Sequence, residues 1–281
     1  MKHVGVIGCG LMGSGIAQVS AQSGFVTTVV DIDAKVMEKG MARIAVFLEK
    51  AKRRGHLSEE ALAAAKENLN SSSSLDALKD CDIVIEAVTE NVELKEKIFK
   101  QLGELTRPDA ILATNTSSIS ITRIAAATNR PDKVLGMHFF NPVPMMKLVE
   151  LIKGVTTSDE TMSACREFSL ALGKEPVMCK DTPAFVVNKL LIPYLLDAIR
   201  MLEDGVASAE DIDKAMMHGC GYPMGPITLL DYVGLDTTLH VADVMFDELR
   251  EQKYAAPVIL RRMVEVGHYG KKSGRGFYSY E

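Results

Sequence analysis

Residues 4–13 read VGVIGCGLMG, a short apolar run closing on Gly8-x-Gly10-x-x-Gly13, and no other stretch restricts the fold so tightly. Glycine at the first place permits a tight turn, at the second it admits a ligand close to the backbone, and at the third it lets the following segment pack on the apolar run. IAQVSAQSG then has helical spacing with Gly24 placed to stop it, and FVTTVVDID is β-branched and ends in acids. Strand, Gly-rich turn, helix, strand is a βαβ unit. Its helix N-terminus presents backbone N–H groups to a pyrophosphate, and Asp31, 18 residues after Gly13, stands where a carboxylate accepts from an adenosine ribose 2′-hydroxyl. The same carboxylate repels a 2′-phosphate, so the pattern points to NAD over NADP. FAD competes for the same fold, and a packing turn followed by an acidic loop is the bland alternative. The candidate cofactor contacts are Gly8, Gly10, Leu11, Met12, Gly13 and Asp31.

From Ala34 to Glu67 the pattern turns helical and charged, broken at Gly55 and restarting at Ser58, which predicts a helical hairpin inserted in the sheet domain. NSSSSLDALKD reads as a polar loop with a short helical turn, CDIVIEAV as a buried strand, Glu93 to Leu105 as a helix, and AILATNTS and VLGMHFF as further strands with loops. Such alternation calls for a mainly parallel, doubly wound sheet of Rossmann type. Beyond Asp181 the texture becomes a series of apolar helices separated by Gly and Pro, so the expected domains are an α/β domain over 1–183 and an all-α domain over 184–281. The methionines of those helices read as core.

Within GMHFFNPVPMMKLVELI, His138 and Glu150 are ionisable groups among Phe, Met, Val, Leu and Ile. Buried without partners, each costs several kcal/mol or more, on a scale of roughly 2–7 for a lone polar group. If they meet, the carboxylate holds one imidazole nitrogen and the other exchanges a proton, which oxidation of an alcohol by a hydride acceptor requires. A satisfied core histidine is the alternative. Glu90 and Lys95 in EAVTENVELK, and Asn115 and Ser117 in ATNTSS, follow predicted strands at the edge where ligands of open α/β sheets lie. From the residues alone, a helix-capping acid and a solvated lysine are the favoured reading of the first two, and ordinary loop chemistry would also use the second two.

A formal charge of −5 argues against nucleic acid, which needs a basic surface. Five widely spaced cysteines without a CxxC pair read as reduced thiols, with no metal site, in a cytoplasmic protein. No apolar run reaches the ~18 residues of a membrane span, and no secretory leader is expected.

Taken together, GxGxxG with Asp31, EAVTENVELK, NTSS, GMHFFNPVPMMKLVE, DTPAFVVNKLL, GYPMGPITLLDYVGLD and GKKSGRGFYSYE resemble the 3-hydroxyacyl-CoA dehydrogenase family over Val4 to Tyr280. The likeness is greatest to its short bacterial branch, which acts on 3-hydroxybutyryl-CoA. The resemblance implies NAD in the first domain, an acyl-CoA substrate, and a homodimer formed through the helical domain. It makes His138 the general base and Glu150 its partner, Ser117 and Asn188 hydrogen-bond donors to the substrate, and Glu90, Lys95 and Asn115 the lining of the nicotinamide ribose side. Lys50 and Arg54, four positions apart in LEKAKRRGHL, take the CoA 3′-phosphate by the same likeness. Related bacterial enzymes more often carry lysine at the latter position, so a planar fork replaces a point charge there. Without the resemblance these two are a basic helix face. A dehydrogenase of a free polyol or sugar acid, and a non-catalytic NAD-binding protein, are the rival readings.

Overall fold

The structure is a computed structural model and describes residues 1–280. The chain divides into two compact units, Met1–Thr182 and Pro183–Glu281, one residue before the expected 183/184 boundary.

The first unit is built on β1 (His3–Ile7), β2 (Val26–Val30), β3 (Leu69–Ser72), β4 (Ile83–Glu86), β5 (Ile111–Thr114), β6 (Val134–Phe139), β7 (Leu148–Lys153) and β8 (Glu175–Lys180). They form one sheet in the order β3-β2-β1-β4-β5-β6-β7-β8. Its helices are α1 (Leu11–Gln22), α2 (Ala34–Arg53), α3 (Glu59–Glu67), α4 (Val92–Leu105), α5 (Ile121–Ala126) and α6 (Asp159–Ala171). Successive strand residues point to opposite faces, so Val4, Val6, Ile83 and Ile85 join the core on one side while Ile7, Val84 and Leu112 join the core on the other. Both faces are thus buried under helices, which is why the strands read as near-continuous apolar runs.

Local signals set the helix boundaries. Asp33 caps α2 by accepting from the N–H groups of Lys35 and Val36, and Ser58 caps α3 through Ala61 N–H. Between them Gly55 has φ +73°, a left-handed turn that closes the hairpin. Lys50, Lys52 and Arg53 in the last turn of α2 suit its negative dipole end.

One expectation needs correction. NSSSSLDALKD is not wholly loop, because Leu69–Ser72 adds to the free side of β2 as an edge strand. Only Leu69 and Ser72 are half-buried there and the rest face water, so the segment carries no apolar alternation to mark it. The sheet is mainly parallel, as expected, with an antiparallel pairing after Phe139, where β7 returns beside β6 and β8 pairs parallel with β7. LVELIK is a short apolar run without a period of its own, and EPVMCK is an exposed edge that tolerates proline.

The second unit consists of α7 (Val187–Glu203), α8 (Ala209–Cys220), α9 (Pro226–Val233), α10 (Leu235–Leu249) and α11 (Val258–Glu265) around its own apolar core. Two buried carboxylates organise it. Asp213 on α8 accepts from the N–H groups of Ile227 and Thr228 and so caps α9, while Asp231 accepts from Phe277 and Tyr278 N–H and pins the tail. Gly276 lies so close to Asp231 that a Cβ there would stand 2.0 Å from its Oδ1.

Candidate active site

His138 and Glu150 sit directly opposite each other across the antiparallel β6–β7 ladder. Paired residues project to the same face, so the chain, twelve positions on, returns the acid onto the imidazole, with Nδ1 and Glu150 Oε2 2.7 Å apart. His138 is 7% exposed and Glu150 fully buried, which leaves the carboxylate little water, and the imidazole helps to offset that burial. A carboxylate only accepts, so Nδ1 carries the hydrogen and Nε2 is the basic nitrogen. The Phe140 ring lies 4.4 Å from the imidazole, centroid to centroid, at 49°, a further restraint on its tilt.

A second group of polar side chains gathers where β4 and β5 end. Glu86, the last residue of β4 and fully buried, accepts from Lys95 Nζ at 2.7 Å, from Val88 N–H at 2.7 Å and from Thr114 Oγ1 at 2.8 Å. Lys95, 1% exposed, also stands 3.6 Å from Glu90. Glu90 in turn accepts from Thr116 Oγ1 and Ser117 N–H, both at 2.8 Å, and from Ser117 Oγ at 3.2 Å. Two carboxylates share one ammonium, so the surplus negative charge falls on Glu90, the more exposed of the two. Asn115 ties this group to the histidine strand by accepting from Phe139 N–H at 2.9 Å.

The alternatives weighed for Glu90 and Lys95 are both displaced: Asn91, not Glu90, caps α4, and Lys95 is a buried ion-paired group rather than a solvated one. Glu86 escaped the sequence reading. Its signal was the one that marked His138 and Glu150, an ionisable residue inside an apolar strand, CDIVIEAV.

At the turn after β1, Gly8 has φ +92° and a Cβ on Gly13 would lie 1.8 Å from Gly8 O, so both positions exclude a side chain. A Cβ on Gly10 would meet nothing within 4 Å, leaving open space before the first turn of α1, where Leu11 and Met12 lie. Asp31 accepts from Cys9 N–H at 2.7 Å and Asp33 N–H at 2.9 Å, one bond per oxygen, which leaves lone pairs for ribose hydroxyls. The turn and its acid therefore fit a dinucleotide such as NAD. Lys50 lies in the last turn of α2 and Arg54 is its C-cap, both exposed. Asn188 is in the first turn of α7, in the second unit. Among the described residues no group of three or more His, Cys, Asp or Glu side chains is arranged to hold a metal ion.

Comparison with known proteins places both units in one family. Residues 3–182 match the family model of the 3-hydroxyacyl-CoA dehydrogenase NAD binding domain, and residues 185–280 match that of the 3-hydroxyacyl-CoA dehydrogenase C-terminal domain. A 3-hydroxybutyryl-CoA dehydrogenase of Mycobacterium tuberculosis is 49% identical over 100% of this chain and 99% of its own. The human mitochondrial hydroxyacyl-coenzyme A dehydrogenase is 46% identical over 100% of this chain and 92% of its own. The crystal structure of (S)-3-hydroxybutyryl-CoA dehydrogenase from Ralstonia eutropha superposes with a TM-score of 0.96 at 46% identity, covering 100% of this chain and 99% of that one.

Proposed function

The chain belongs to the 3-hydroxyacyl-CoA dehydrogenase family, and from that premise we propose that it interconverts (S)-3-hydroxybutyryl-CoA and acetoacetyl-CoA with NAD as cofactor. The observation that carries the chemistry is the His138–Glu150 pair at 2.7 Å. NAD, when bound, supplies an acceptor for the hydride from carbon 3 and takes no proton. The hydroxyl proton passes to His138 Nε2, while Glu150 holds the Nδ1 hydrogen and stabilises the imidazolium that results. Ser117 and Asn188 donate to the reacting oxygen or the thioester carbonyl. Ser117 Oγ donates to Glu90 in the structure, so its turn toward the substrate requires that bond to be given up. Phe139 and Phe140 keep water from the reacting carbon. Glu90, Lys95 and Asn115 line the nicotinamide ribose side, and Lys50 with Arg54 holds the CoA 3′-phosphate.

The test is NADH oxidation with acetoacetyl-CoA, free acetoacetate and a polyol-derived ketone. Turnover confined to the thioester, with CoA alone as an inhibitor, is expected. Turnover of the free acids and no inhibition by CoA would overturn the assignment. Replacing Lys50 and Arg54 together by alanine is expected to lower kcat/KM with acetoacetyl-CoA and to spare a pantetheine thioester.

We further assign the second unit to homodimer formation, supported by its exposed apolar side chains, Leu190 at 73% and Tyr222 at 45% among them. Mass measurement in solution tests this. A cytoplasmic location fits the free cysteines, and no helix among the described residues is long and apolar enough to cross a membrane.

A further inference from the structure

Residues 140–147, FNPVPMMK, join β6 to β7 and so close the hairpin that opposes Glu150 to His138. Val143, 2% exposed, lies on Gly15 of α1, where a Cβ would stand 2.8 Å from Val143 Cβ. Residues 141, 142 and 144–147 are exposed. A loop that buries so little of itself is held in one conformation by ties from outside it.

One such tie is a lysine. Gly173, with φ +70°, ends α6, and the Lys174 N–H donates back to Ser169 O. The pairing of β8 with β7 brings Glu175 N–H onto Lys147 O at 2.8 Å, which sets the preceding residue beside the loop. There Lys174, 6% exposed, donates through its ammonium to Val143 O and, at 2.8 Å, to Met146 O. Neither acceptor is a carboxylate. Burying an ammonium on neutral acceptors is costly and pushes Lys174 below the ordinary lysine value. Methionine would fill the same space without that cost, so the position calls for the donors rather than the bulk.

The loop carries Phe140, whose ring lies against the His138 imidazole with centroids 4.4 Å apart. Glu150 reaches that imidazole from a strand, whereas Phe140 reaches it from the loop, so the place of the ring depends on the place of the loop.

We infer that Lys174 is a positioning residue for the reaction: by fixing the carbonyls of Val143 and Met146 it holds the loop that sets Phe140 on His138. The inference rests on the reading of His138 as the base. An imidazole free to tilt spends less time aligned with the substrate hydroxyl, so loss of the clamp acts on kcat and spares cofactor binding.

The experiment is a double-mutant cycle on kcat for acetoacetyl-CoA reduction, run below the Tm of every protein in it, with Lys174→Met, Phe140→Leu and the two combined. Lys174→Met is expected to lower kcat by about tenfold and to leave KM for NADH within about twofold of the parent. Added to Phe140→Leu, it is expected to lower kcat by less than about twofold more, because the route to the imidazole is already cut. If Lys174→Met does not fold, Lys174→Gln is carried through the same cycle with the same non-additivity expected. A kcat within about twofold of the parent alongside a lowered Tm, or effects of the two substitutions that simply multiply, would make Lys174 a clasp of the fold only, while the function stands. Absence of turnover in the parent overturns the function and the positioning role with it.

Discussion

At the scale of single residues, the expected behaviour follows from one acid placed on one nitrogen. Replacing His138 by Gln removes the proposed proton acceptor and is expected to lower kcat by about 10²–10⁴ while NADH affinity, measured by fluorescence titration, stays near that of the parent. A loss under threefold would show that His138 is only a packed core residue. Glu150→Gln keeps the shape but lets an amide N–H face Nδ1, which favours the tautomer with its hydrogen on the wrong nitrogen and withdraws support from the imidazolium. Its kcat is expected to fall by a similar order and its pH profile to move. A profile superimposable on the parent's would assign Glu150 to stability alone. Both residues were legible in the sequence as charge inside an apolar run. Glu86 gave the same signal, yet its meaning depended on Lys95, nine residues on in the next helix.

At the scale of elements, buried charge decides how strands and helices are held. Lys95 joins α4 to the end of β4 through Glu86, with both side chains out of water. Removing one partner strands the other, so Lys95→Met is expected to cost about 3–5 kcal/mol in urea unfolding, and adding Glu86→Gln to that protein is expected to recover most of it. An additive double variant would contradict the pairing. At the opposite end of the same strands, Asp82 accepts from the N–H groups of Lys2 and His3 and from Arg107. Partial burial pushes its carboxyl up, but these donors outweigh burial and hold it at about 2, against an ordinary 3.8. A depressed carboxyl stabilises the fold above its unfolded value and loses that contribution as pH falls through the folded one. The gain, about 2 kcal/mol at neutral pH, is therefore expected to vanish between pH ~4 and ~2. Asp82→Asn should flatten that limb of the acid unfolding curve, and an unchanged limb would discount the tie.

At the scale of the molecule, the chain comprises two units with separate cores, the first of which matches an NAD binding domain. NADH at 100 times its dissociation constant adds about 2.7 kcal/mol to whatever binds it. Followed by hydrogen exchange in denaturant, this protection is expected over α1 and the strands of the first unit, with the core of α7 and α10 unaffected. Equal protection in both would mean that the units unfold as one body.

The sequence by itself determined the nucleotide turn, the helical hairpin and the change to an all-helical second half. Those features rest on interactions within a few residues: a glycine's φ, an N-cap serine, the spacing of apolar positions along one helix. Tertiary structure alone decided that β7 runs back beside β6 in the register that opposes Glu150 to His138, since a slip of one residue would have sent the acid to the other face. It alone placed Leu69–Ser72 as an edge strand, paired Glu86 with Lys95, and laid the Val143 loop on Gly15. In each case the partner of a strand, a buried charge or a bare glycine lies elsewhere in the chain, and local patterning shows that a partner is needed without showing which one meets the need.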